Sequence, residues 1–209
     1  MENIPFVDQQ LIKLTNKIVH HHPNTIFGGS LGLVTLGLLK RNVGDLDIIT
    51  YKDQTEIKKY LKTQCAEDIF SPRVSTYTLK RKTMEEAYDQ MRGVRRDALV
   101  IDGVKVCHFE IIDDRIPPPV YKKHGLVFEN PINAVLAKLE YIDNYKKNDL
   151  TPLAKHVNDI IEIHQNSLKQ WSILQDDQKL LIDPVIERIE DYFRRAVCTK
   201  EQIKENLPW

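Results

Sequence analysis

Apolar residues recur at helical spacing over residues 8–21, where Leu11, Leu14, Ile18 and Val19 share one side and Pro23 follows to stop the run. This predicts an opening amphipathic helix. The segment TIFGGSLGLVTLGLLKRNVGDLDIITYK then changes period. It reads as a short strand, a Gly-Gly-Ser turn, a helix from about Leu31 to Lys40, a loop and a buried strand LDIIT, giving the order strand, helix, strand. A polar helix is expected from Gln54 to Lys62. In RVSTYTLKR, Val74, Thr76 and Thr78 alternate with Ser75, Tyr77 and Leu79, as in a strand. RRDALVIDGVKVCHFEIID gives the clearest hairpin: two β-rich runs joined by Asp102-Gly103, a dipeptide that accommodates the positive φ angles of a two-residue turn.

The pattern shifts at IPPPVYKKHG, where Pro117, Pro118 and Pro119 exclude both a helix interior and a central strand. Beyond it the signal is helical. Asn130-Pro131 supplies an N-cap and a first-turn proline ahead of the stripe Ile132, Val135, Leu136, Leu139 and Ile142. Thr151-Pro152 repeats the device for Leu153, Val157, Ile160, Ile161 and His164, and a third helix is expected from about Asp177 to Ala196. The expected organisation is an α/β core over 1–116, a Pro-rich linker over 117–129 and a helical region over 130–209.

Composition narrows the function classes. The chain has 209 residues, enough to bury a core without disulfides or metal staples. Lys+Arg and Asp+Glu balance at 30 each, so any contact with nucleic acid has to be local. Cys65, Cys107 and Cys198 are scattered and form no Cys-x-x-Cys spacing, which argues for a reducing, cytoplasmic location. No basic leader followed by an apolar run opens the chain, and no stretch approaches the roughly eighteen apolar residues of a membrane span. No membrane partner is expected.

Candidate chemistry lies in the strand LDIIT and the turn before it. Successive strand side chains alternate faces, so Asp45 and Asp47 share one side while Leu46 and Ile48 face the core. Two carboxylates that close repel unless a cation lies between them, and hard oxygen donors favour Mg²⁺. A solvent-facing pair at a strand start is the plainer alternative. The turn Gly28-Gly29-Ser30 opens a helix whose first N–H groups lack intrahelical acceptors and suit an anion. Ser30 serves there either as N-cap or as a phosphate contact. A phosphate cradle, one helix and a carboxylate pair on the next strand together are what phosphoryl-type transfer requires.

The run GGSLGLVTLGLLKRNVGDLDI resembles the first motif of the nucleotidyltransferase superfamily with the DNA polymerase β type fold. It is most similar to the AbiEii/MenT group of nucleotidyltransferase-like toxins, whose pattern is Gly-Gly-(Ser/Thr), an apolar helix, a basic residue, then Asp-Leu-Asp. Arg41 stands at the basic position, and fourteen residues separate Ser30 from Asp45, slightly more than that pattern usually has. In the helical half the group carries a lysine and then a basic-Asp-x-x-Asp run. Lys138 in AVLAKLEY matches the lysine, and Lys155 and Asp159 in KHVNDIIEI match the run, with His156 where the first aspartate is usual.

The resemblance implies an α+β fold: a nucleotidyltransferase-type mixed β-sheet core with flanking helices, followed by a C-terminal helical bundle. It implies Asp45 and Asp47 as metal ligands and catalytic residues, with two Mg²⁺ ions and an NTP substrate bound at Gly28, Gly29, Ser30, Arg41 and Lys138. Asp159 would orient Lys138 or a nucleophile. The alternatives for these two are a snorkelling surface lysine and an ordinary Lys155/Asp159 surface pair. Such folds usually have a third carboxylate on a neighbouring strand, for which Glu110 is the candidate. Counting back from Asp102-Gly103 sets Glu110 opposite Arg95, so a cross-strand ion pair competes with metal binding.

His20, His21 and His22 end a helix and are read as surface residues, since neighbours at i and i+1 do not share a face. The basic clusters Lys80-Arg81-Lys82 and Arg92 to Arg96 are the residues expected to meet phosphates if RNA is the acceptor. The expected function is therefore metal-dependent transfer of a nucleotide from an NTP to a hydroxyl, on tRNA or another RNA by the resemblance, as a toxin with a neutralising partner protein. The rivals are a small-molecule acceptor, as in antibiotic nucleotidyltransferases, a protein acceptor, and a non-catalytic nucleotide- or partner-binding module.

Overall fold

A computed structural model describes residues 4–50, 94–101, 104–111, 120–147 and 154–204. The expected helix at Gln54 to Lys62, the strand RVSTYTLKR, the Lys80-Arg81-Lys82 cluster, the Asp102-Gly103 turn and the three prolines lie outside these residues. The chain divides into two compact units, one of residues 1–36 and 40–130 and one of residues 37–39 and 131–209.

The first unit is built on a mixed six-stranded sheet in the order β3-β4-β2-β1-β6-β5. Its strands are β1 (Ile26–Phe27), β2 (Asp45–Thr50), β3 (Val94–Ile101), β4 (Val104–Ile111), β5 (Val120–Lys123) and β6 (Leu126–Glu129). Strand β2 pairs antiparallel with β1 and parallel with β4, and β1 runs parallel to β6. The hairpin expected from the β-rich runs is present as β3–β4, with Ile101 opposite Val104 and Arg95 opposite Glu110. Leu46, Ile48, Val106, Phe27 and Phe128 are fully buried, the positions that alternation assigns to a core face.

The segment expected as a linker over 117–129 contains sheet instead. Residues 120–129 form the β5–β6 hairpin, turning at His124-Gly125, both at positive φ. The prolines place the end of the sheet core too early in the chain, because they overshadow the packing signal that Tyr121 and Phe128 carry. Their rings stack at 5.1 Å, and Phe128 also meets Phe27, its register partner on β1, at 6.3 Å.

Among the described residues two helices belong to this unit. Helix α1 (Gln9–His21) is capped by Asp8, whose carboxylate accepts from Gln10 N–H at 2.7 Å, and it buries Leu11, Leu14 and Ile18 as the spacing predicts. His20 and His21 at its end are exposed. Helix α2 spans only Gly29–Thr35, shorter than the expected 31–40 and starting earlier, because Gly28 is its N-cap and Gly37 turns the chain at φ +77°. Ser30 is thus inside the first turn and makes no capping bond, a correction to its reading as N-cap.

The second unit is helical: α3 (Pro131–Lys147), α4 (Ala154–Trp171) and α5 (Asp176–Lys204, with Pro184 inside it). Helix α3 buries Ala134, Val135, Leu139 and Ile142, while α4 buries Ile160 and Ile163; Ile161, expected on the inner stripe, is exposed. Residues 37–39 join this unit through α4, where Asn166 Nδ2 donates to Leu38 C=O at 3.1 Å and Gln170 Nε2 to Gly37 C=O at 2.8 Å. Tyr192 O–H donates to Asp143 Oδ1 at 3.0 Å and ties α5 to α3. Among the described residues no helix is long and apolar enough to cross a membrane.

Candidate functional site

Strand β1 delivers the chain to Gly28 beside β2, and Gly28 N–H extends the antiparallel ladder by donating to Asp47 C=O at 2.9 Å. The next residue, Gly29, takes φ +59°. A β-carbon there would fall on Asp47 Oδ2 and lie 2.8 Å from Asp47 Cγ. Glycine is thus required twice over, for the left-handed backbone and for the space its missing side chain leaves to a carboxylate. The Gly-Gly-Ser turn and the Asp-Leu-Asp strand, recognised separately in the sequence, are in direct contact.

Ser30 follows, buried, and its hydroxyl accepts from Arg41 Nη2 at 2.9 Å; Arg41 Nη1 also donates to Asn42 C=O at 3.1 Å. The guanidinium is therefore brought back across the loop to the glycine turn. Asp45 and Asp47 are both half-buried and share one face of β2. Gly28, Gly29, Ser30, Arg41, Asp45 and Asp47 thus form one local constellation in the sheet unit.

Glu110 does not join it. Parallel pairing sets Asp45 opposite Lys105, Asp47 opposite Cys107 and Thr50 opposite Glu110. Paired residues share a face, so by register Glu110 falls on the side of Leu46 and Ile48, away from the two aspartates. Its cross-strand partner in the register is Arg95, the pairing that competes with metal binding. Arg95 and Arg96 of the second basic cluster lie in β3.

Glu129, which no motif signals, does join it. Its Oε1 accepts from Gly29 N–H at 2.9 Å, across 100 residues of sequence. On the same hairpin, Tyr121 O–H donates to Gly32 C=O at 2.9 Å. Burial, and then the nearby Glu129 charge, push the Tyr121 phenol far above its ordinary value, so it stays protonated and a donor.

Mg²⁺ fits this donor set. Asp45 and Asp47 offer hard carboxylate oxygens, and Gly29 leaves space beside one of them. Among the described residues no three His, Cys, Asp or Glu side chains converge as a metal group.

In the helical unit Lys138 Nζ donates to Asp159 Oδ2 at 2.6 Å, and both side chains are buried. Lys138 is buried rather than a snorkelling surface residue, and Asp159 is buried against it rather than standing at the surface. One turn away on both helices, Tyr141 stacks on His156 with centroids 5.3 Å apart and planes 6° from parallel. The two contacts form successive rungs between α3 and α4. His156 stands where the resemblance expects an aspartate, and here it packs as a ring.

Comparison with family models, with curated proteins and with solved structures finds no match to this chain.

Proposed function

We propose that the chain is a metal-dependent nucleotidyltransferase whose centre is the Gly28-Gly29-Ser30 turn, Arg41 and the pair Asp45/Asp47. The observation that carries this reading is the seating of Gly29 against the Asp47 carboxylate. It joins a turn suited to phosphate with a carboxylate suited to a cation, and the motif that resembles the nucleotidyltransferase superfamily spans both.

Asp45 and Asp47 would hold Mg²⁺, which when bound offsets charge on a triphosphate and makes a hydroxyl a better nucleophile. Ser30 and Arg41 bind the outer phosphates, the guanidinium by charge-assisted hydrogen bonds. The acceptor hydroxyl attacks the α-phosphate, a new P–O bond forms, and the bond to the β-phosphate breaks with release of pyrophosphate. RNA, and tRNA in particular, is the acceptor that the resemblance favours, and a neutralising partner protein belongs to the same reading. A binding module without turnover is the second reading, favoured by the stacked His156 in place of an acidic residue.

Pyrophosphate release from each NTP, with Mg²⁺ and total cellular RNA, separates the two. Release that Asp47→Asn abolishes is expected. NTP binding without release, with RNA, aminoglycoside-type or protein acceptors alike, would favour the binding module. Growth arrest on expression tests the toxin role, and arrest retained by Asp47→Asn would remove it.

A further inference from the structure

Strand pairing explains why Glu129 reaches the glycine turn. Strands β1 and β6 run parallel with Phe27 opposite Phe128, so the next residues on each, Gly28 and Glu129, leave the sheet side by side. The Glu129 side chain then takes the N–H of Gly29, which as the first residue of α2 has no acceptor within the helix. Three constraints therefore meet at Gly28-Gly29. The ladder bond to Asp47 C=O fixes the approach, the Glu129 carboxylate fixes the Gly29 amide plane, and the Asp47 side chain fills the place of the missing β-carbon. Tyr121, from the neighbouring strand of the hairpin, holds the same helix three residues further on at Gly32 C=O.

We propose that Glu129 is a positioning residue for Asp47: by holding Gly29 N–H it keeps the glycine turn seated against the Asp47 carboxylate and so sets where that carboxylate stands for a cation. The inference rests on the transferase reading for its purpose and on the Glu129–Gly29–Asp47 geometry for its substance. What positioning requires of Glu129 is an acceptor oxygen, which a glutamine also offers. By register Glu129 lies on the same sheet face as Asp47, and it acts through the Gly29 N–H that its carboxylate accepts. Two competing roles make opposite demands. A plain helix cap would affect folding alone, and a carboxylate standing in for a substrate phosphate would weaken ligand binding by its presence.

The chain has eight glycines, so isotopic labelling of glycine alone gives a sparse amide spectrum in which Gly29→Ala identifies the Gly29 signal. The full-length protein and its Glu129→Gln and Glu129→Ala variants are titrated with Mg²⁺ alone, at a temperature where circular dichroism shows all of them folded. The expected wild-type Gly29 amide is shifted and protected by its hydrogen bond, and it responds to Mg²⁺. Glu129→Gln keeps both properties. Glu129→Ala loses the protection and raises the Mg²⁺ half-saturation about tenfold, the scale of a lost supporting contact beside a metal ligand.

Unchanged Mg²⁺ affinity in folded Glu129→Ala would overturn the proposal in favour of a cap, and tighter affinity would overturn it in favour of a placeholder. Equal loss in the glutamine and alanine variants would show that charge, not an acceptor, is needed, and would also overturn it. A wild type that ignores Mg²⁺ while Glu129 still governs the Gly29 amide would instead sink the transferase reading, and with it the purpose of the contact. An amide indifferent to Glu129→Ala would sink the positioning itself.

Discussion

Gly29 and Asp47 are packed so that the carboxylate of one residue stands where the other would carry a β-carbon. Strand β1, helix α2 and strand β2 meet at this point. Because Gly29 also has a left-handed backbone, its replacement has two separable costs. The conformational one is about 1–2 kcal/mol for a residue with a β-carbon. The steric one has to be met by moving Asp47, since the turn is held by its own ladder bond.

Gly29→Ala is therefore expected to lower stability modestly while abolishing most nucleotide transfer. Urea denaturation combined with a turnover assay checks this. Stability lost with activity intact would mean that Asp47 has freedom to move without consequence.

Arg41→Ala removes the guanidinium from Ser30 Oγ. Arg41 is only half-buried, and stability should change by well under about 1 kcal/mol. The expected effect is a raised KM for NTP, about tenfold, for loss of one charge-assisted phosphate contact of roughly 1.4 kcal/mol. Steady-state kinetics over a range of NTP concentrations decides it, an unchanged KM being the contrary result.

In the helical unit, Lys138→Ala leaves the Asp159 carboxylate buried without the ammonium that faces it. Breaking a buried pair from one side costs about 3–5 kcal/mol, whereas replacing both partners by apolar residues is often neutral. Lys138→Met with Asp159→Leu should thus recover most of the stability lost in Lys138→Ala. If the double variant is stable and inactive, Lys138 has a chemical role beyond packing; if it is stable and active, the pair is structural.

Alkaline pH tests the two perturbed phenols. Burial and Glu129 raise Tyr121, while burial and then the bond and charge of Asp143 raise Tyr192. Both groups prefer to stay neutral in the folded protein. Their contribution is fully present below the ordinary tyrosine value of about 10 and is lost as pH rises above it. Wild-type stability should fall above about pH 10. Tyr121→Phe should be less stable near neutrality by about 1 kcal/mol, for the lost bond to Gly32 C=O, yet decline less steeply in alkali. Denaturation curves on either side of that pH would show it, and an equally steep decline in the variant would argue against Tyr121 as a contributor.

Local chemistry was legible in the sequence where neighbours along the chain are also neighbours in space. The amphipathic spacing of α1, the β3–β4 hairpin and the common face of Asp45 and Asp47 all follow from periods of 3.6 and 2. Long-range pairing was not legible. Nothing near Glu129 in the sequence points to a glycine 100 residues away, because that contact depends on β1 lying parallel to β6. Glu110 shows the same limit: its distance from the turn is readable and sets it opposite Arg95, but its face relative to Asp47 depends on the parallel register of β4 with β2. The prolines before Val120 marked a break in pattern without showing that the chain returns to the sheet for two more strands. Lys138 reads as amphipathic surface in its own helix and is buried by a carboxylate from the next.

The central claim is that Asp45 and Asp47 serve nucleotide transfer, and transfer of α-phosphate label from each NTP to cellular RNA with Mg²⁺ tests it most directly. Wild type is compared with the Asp45→Asn/Asp47→Asn variant, both checked for folding by thermal denaturation. Label in RNA that disappears in the folded variant is the predicted result. Label that persists without either carboxylate would contradict the account.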